Sequence, residues 1–134
     1  MSDGKSLDLQ RAEHALLVIE ALKGENIRHY VSYVSALPAT ILQNGLGQAL
    51  ATLLSAAKGK SDDPHQKLYD QMQGWLCRGD ADAPYKEGDN LIKAIVEGDE
   101  QTYLHAHAEA LAYLVWLKKF AVAFLKEPDG GNTR

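Results

Sequence analysis

The sequence predicts an all-α fold: a compact bundle of about six helices with a long, central C-terminal helix. Three observations predict it. Apolar residues recur at three- and four-residue steps along nearly the whole chain, which collects them on helical faces. Gly, Pro and polar clusters interrupt that spacing at intervals suited to ordinary helices. No stretch alternates in the two-residue period of a strand, and neither a repeat nor a low-complexity tract recurs. The 134 residues suit one domain, with 6–126 ordered and 127–134 a flexible tail rich in Gly, Pro and Asn.

The elements follow in order. Leu9, Ala12, Leu16 and Ile19 share a face of a first helix that Ser6 caps and Gly24 ends. Asn26 caps a second, with Ile27, Tyr30, Val34 and Leu37 inward. Pro38 disfavours helical geometry at Leu37, so a new helix or a kink is expected there, and the third helix runs from there to about Ala57, with Leu42, Leu46, Ala49 and Leu53 inward. Residues 58–64 form a linker closed by Asp63 as cap and Pro64 in the first turn. Leu68, Met72, Trp75 and Leu76 define a fourth helix, and residues 79–90 a polar loop. Leu91, Ile92, Ile95 and Val96 form a short fifth helix that Gly98 ends. Asp99 caps the sixth. Along it run two apolar lines: Tyr103, His107, Ala110, Leu114, Leu117, Ala121, Phe124, and beside them Leu104, Ala108, Leu111, Val115, Val122, Leu125. So wide a face suits the centre of a bundle.

Composition narrows the function. Apolar residues make up 46% and charged residues 24%, as in ordinary globular proteins. The formal net charge of −4 is unlike that of an autonomous nucleic-acid binder, so any such contact needs a local basic patch or help from partners. A single cysteine, Cys77, excludes an intramolecular disulfide. No apolar run suits a membrane span and the polar N-terminus lacks a signal-peptide core, so the expected location is the cytoplasm.

No reaction chemistry stands out. His105 and His107 point roughly 200° apart on a helix and cannot chelate one ion, so no metal is expected. Cys77 lies at a helix C-terminus, where nothing lowers a thiol pKa. No serine sits in a nucleophile elbow, and the carboxylates single out no pair. Tyr113, Trp116 and Phe120 form an aromatic line that suits either core or a protein interface. Basic residues cluster weakly at Lys23 and Arg28, at Lys58, Lys60 and Lys67, and at Lys118, Lys119 and Lys126. They suit a solvated surface or sequence-independent phosphate contacts.

The most unusual stretch is Leu37-Pro38-Ala39-Thr40-Ile41-Leu42-Gln43-Asn44-Gly45-Leu46-Gly47-Gln48-Ala49-Leu50. Two glycines inside an apolar helix cost about 1 kcal/mol each against alanine. Close backbone approach, to another helix or to a partner, would offset that cost. Asn44 and Gln48, a turn apart on such a helix, could act as a pair.

This block resembles the hallmark of the small subunit of the type III-B CRISPR RNA-targeting (Cmr) complex. Tyr113-Leu114-Val115-Trp116-Leu117-Lys118-Lys119-Phe120-Ala121 is similar to that family's C-terminal block. Tyr30-Val31-Ser32-Tyr33 and the Trp75-Leu76 region fit in order and spacing. The resemblance implies a helical subunit that is not an enzyme and needs no cofactor. Its copies stack on one another beside the backbone subunits, together with the large subunit, along the guide and target RNA. RNA cutting then belongs to the backbone subunit and cyclic-nucleotide signalling to the large one. Carried onto this chain, Asn44, Gly45, Gly47, Gln48 and Trp116 match the family blocks and are candidates for helix positioning or a subunit interface. Arg28, Lys58, Lys60, Lys118 and Lys119 are the candidates for RNA contact. The competing readings are a protein-only scaffold and, far behind it, an enzyme.

Overall fold

The computed structural model describes residues 4–25 and 27–125. Among them are six α-helices and no strands: α1 (Leu7–Leu22), α2 (Tyr30–Asn44), α3 (Leu46–Ala57), α4 (Pro64–Leu76), α5 (Leu91–Glu97) and α6 (Glu100–Phe124). The expected tail at 127–134 and the expected cap Asn26 lie outside the described residues.

Four caps stand where the sequence places them or one residue before a predicted start. The Ser6 hydroxyl accepts from the Leu9 N–H and Asp63 from the His65 N–H. Asn90 accepts from the Lys93 N–H and Asp99 from the Thr102 N–H. Each satisfies an amide that has no partner inside its helix.

The 25-residue α6 is the central element. It packs most extensively against α1 and α2, and also touches α3 and α4. Helix α3 lies on α4, and α5 on α3. Leu114, Leu117, Ala110 and Ala121 of α6 are buried, as the first apolar line predicts.

Three expectations need correction. Pro38 does not start a new helix. It lies inside α2, and the break comes seven residues later at Gly45 (φ 89°, ψ 156°). The buried face of Tyr30, Val34, Leu37 and Ile41 runs straight through Pro38. That burial outweighs the roughly 3 kcal/mol that an interior proline costs. Because 42 then keeps the phase of α2 and not of α3, Leu42 points outward and is 69% exposed.

Helix α1 is turned from its expected face. Ala15, Ile19 and Leu22 are buried while Leu9 and Leu16 are exposed. The turn, roughly 80° at 3.6 residues per turn, carries Arg11 and His14 toward the interior. Helix α6 is turned likewise. Leu104, Val115 and Val122 of the second apolar line face solvent, and Ala106, Glu109 and Tyr113 are buried instead.

Candidate functional site

The interior holds a polar cluster at the meeting of α1, α4 and α6. Glu109 is 4% exposed. Its carboxylate accepts two bonds from the Arg11 guanidinium, at 2.6 and 2.9 Å, and one from the Trp75 indole N–H at 2.8 Å. Burial alone would raise the Glu109 pKa, but the bonds from Arg11 and Trp75 outweigh it and hold the carboxyl below its ordinary value.

His14 lies beside this pair, its ring tilted against Trp75 and edge-on to Tyr113, two rings that stack on each other. Burial, then the nearby Arg78 charge, lowers the His14 pKa, and burial raises that of the Tyr113 phenol. The Tyr113 hydroxyl and Nδ1 of His14 share a hydrogen bond of 2.7 Å. Arg78 covers the other side of Trp75, 3.6 Å from the ring centroid. The Glu109 carboxylate is thus held from two helices at once, by Arg11 of α1 and Trp75 of α4, which makes it a clamp between helices.

Sequence reasoning missed this cluster because its members come from three helices. One signal was present: Glu109 lies in helical phase with Ala106 and Tyr113, a carboxylate on a core face, where charge is rare unless paired.

The glycine block is a hinge between α2 and α3. Asn44 and Gln48 are both exposed but stand on different helices, so they do not form the expected pair along one helix. Gly45 ends α2 and starts α3 with a backbone that L-residues rarely adopt, and a Cβ there would lie 3.1 Å from the Tyr103 hydroxyl. The Gly47 N–H donates to that same hydroxyl at 2.9 Å, and its absent Cβ faces Ile95 at 3.5 Å. Both glycines thus admit Tyr103 of α6. Trp116 is half-buried against Phe120 and donates its indole N–H to Asp8 at 3.1 Å.

The basic candidates divide. Arg28 and Lys60 line one open groove of about 550 Å³, with Glu25, His29, Tyr33, Asp62, Asp63 and Pro64. Its walls are the turn before α2 and the linker before α4. Tyr33 stacks on His65 with ring centroids 3.9 Å apart, which fixes one wall. Two of the groove's acids are occupied. Glu25 pairs with Lys67, and Asp63 accepts from the backbone N–H and the ring of His65. The backbone bond first of all, then the ring, holds the Asp63 pKa down. Arg28 and Lys60 form no ion pair among the described residues. Lys58 is exposed at the left-handed C-cap of α3 (φ 54°), outside the residues lining the groove. Lys118 and Lys119 are exposed on α6, also away from it.

Other chemistry finds little footing. Cys77 is buried, and burial first, then Asp89, pushes its thiol up to about 11. Among the described residues no group of three His, Cys, Asp or Glu side chains could hold a metal ion. Among the described residues no helix is long and apolar enough to cross a membrane.

Fold and surface together define a small α-helical bundle with a closed polar interior and an open, cation-bearing groove. A family model described as "CRISPR-associated protein (Cas_Cmr5)" matches residues 7–124, and the chain belongs to that family. It is similar to the "CRISPR system Cmr subunit Cmr5" of Thermus thermophilus, 33% identical over 110 residues that cover 82% of this chain and 87% of the relative. It is also similar to the protein of that name from Thermotoga maritima, 25% identical over 132 residues, 96% of this chain and 92% of the relative.

Proposed function

We propose that this chain is the non-catalytic small subunit of a type III-B CRISPR ribonucleoprotein, stacking in several copies along the backbone subunits and contacting the guide–target RNA duplex. The family match over 7–124 carries the assignment to a Cmr complex. The RNA contact draws support from the groove, where Arg28 and Lys60, distant in sequence, stand together without ion-pair partners among the described residues. Each cation there can meet a phosphate without reading a base. Repetition over stacked copies lets a few weak contacts add up despite the net charge of −4. The non-catalytic reading draws support from Cys77 and Glu109, whose burial and bonding leave neither available to a substrate.

The test is purification of the tagged chain from its host, followed by identification of the proteins and RNA that come with it. Other Cmr subunits and guide RNAs of uniform length are expected. Other Cmr subunits with a chain that crosslinks to no RNA would favour a protein-only scaffold. Unrelated proteins and no guide RNA would overturn the assignment.

A further inference from the structure

The outward line of α6 has a spacing that packing within the chain uses only at Leu111, which is partly buried against the core. Leu104, Ala108, Leu111, Val115, Lys118 and Val122 follow one another by four, three, four, three and four residues. That is the seam of a coiled coil, in which each side chain inserts between those of a facing helix. Five of its six positions are open: Leu104, Val115 and Val122 are 58%, 54% and 60% exposed, Ala108 and Lys118 are exposed as well, and Leu111 is half-buried. It spans about 27 Å of helix at a rise of about 1.5 Å per residue.

We infer that this seam pairs with the same seam of a second copy, antiparallel, about a two-fold axis beside Tyr113. Under that axis Leu104 faces Val122 of the other copy, and Leu111 faces Val115. Lys118, the longest side chain of the six, faces Ala108, the smallest. The lysine stem covers the alanine and its ammonium reaches solvent. A parallel pairing would set Lys118 against Lys118 in the apolar seam, where two like charges repel. Antiparallel, the two ammoniums are separated by roughly 15 Å along the axis, beyond the screening length at physiological salt. Charge and volume therefore both select a second copy in this one orientation.

A strip about 27 Å long and about 10 Å wide covers roughly 270 Å² of each copy, well below the ~800 Å² per partner of a standard interface. The pairing is accordingly weak and appears only at high concentration. It is separate from the stack proposed above, because a two-fold contact closes after two copies. Its failure would leave that proposal standing.

The test is sedimentation equilibrium of the purified full chain between about 10 µM and about 1 mM. The mean mass should rise from 14.7 kDa toward twice that value. Val115→Glu should stay monomeric while keeping its helical circular dichroism, since the site is open to water. Mild oxidation of the double variant Leu111→Cys/Val115→Cys should link copies through one introduced thiol of each kind, and neither single variant should link efficiently. A monomer at every concentration overturns the inference. So does a dimer that survives Val115→Glu, or single variants that link as well as the double one. Loss of the other Cmr subunits from Val115→Glu, with the free chain monomeric, would also overturn it and assign the seam to a different protein.

Discussion

At the scale of single residues, the decisive fact is that one carboxylate lies inside the bundle and is fully partnered. Glu109 ties α6 to α1 through Arg11 and to α4 through Trp75. Removing the charge leaves the Arg11 guanidinium with only the exposed Asp8, among the described residues, as counter-ion, at 3.0 Å, and an indole N–H with a poorer acceptor. Breaking a buried pair costs about 3–5 kcal/mol, and because Arg11 keeps some contact with water, Glu109→Gln should cost about 2–3 kcal/mol. Urea unfolding at neutral pH reads this as a lower midpoint with an unchanged slope. The pH dependence has a definite sign. The folded-state pKa of Glu109 is depressed, so its stabilisation is full above the unfolded value near 4.5 and is lost as pH falls through the folded one. His14 acts higher on the pH scale. Its folded pKa is also depressed, so below the unfolded value near 6.5 the unfolded chain binds a proton that the folded chain refuses, and stability falls. Between pH 7.5 and 5.5 the urea midpoint should therefore drop, and His14→Gln should drop less over the same interval. An equal drop would show that His14 does not carry the dependence.

At the scale of helices, local chemistry was legible, and phase was legible in α2, α3 and α4 but not in α1. Ser6, Asp63 and Asp99 cap where their side chains can reach the second or third amide beyond them, a relation contained within four residues of sequence. Which face of a helix turns inward depends on what waits there. Helix α1 rotates to deliver Arg11 and His14 to partners 98 and 99 residues away, and no local spacing encodes that. Pro38 and Gly45 show the same division. Proline is the stronger breaker by propensity, yet a continuous buried face holds the helix through it, and the chain breaks where only glycine can adopt the angles. The two glycines, equivalent in the sequence reading, separate here. Gly45→Ala meets a forbidden backbone and the Tyr103 hydroxyl at 3.1 Å, and should cost about 2–4 kcal/mol. Gly47→Ala meets only ordinary contacts at 3.5 Å or more inside α3, and should lie within about 1 kcal/mol of the parent, on the stabilising side. Thermal unfolding of the two variants side by side distinguishes them. Equal losses would mean that close packing, and not backbone angle, governs the hinge.

At the scale of the whole molecule, what matters is where an acidic protein puts its cations. The sequence shows fourteen Lys and Arg among eighteen Asp and Glu, with only weak clusters. It could not show that Arg28 and Lys60 line one groove, nor that Glu25 and Asp63 on its walls are held by Lys67 and His65. Lys118 and Lys119 were legible as a pair but lie on a separate face of α6. Two double variants exploit this. Arg28→Glu/Lys60→Glu and Lys118→Glu/Lys119→Glu each turn two cations into two anions, so each takes the formal net charge from −4 to −8. A long-range effect of net charge would act on both alike, and any difference between them reports position. In the assembled complex, Arg28→Glu/Lys60→Glu should weaken target-RNA binding more. It should also flatten the dependence of log affinity on log salt by about 0.7–0.9 for each phosphate that the subunit no longer neutralises. Filter binding at several salt concentrations measures both quantities. If the groove variant keeps the parent slope while the α6 variant flattens it, the RNA runs along the outer face of α6 and the groove serves another purpose. If both keep the slope with the complex intact, the subunit holds its place by protein contacts alone.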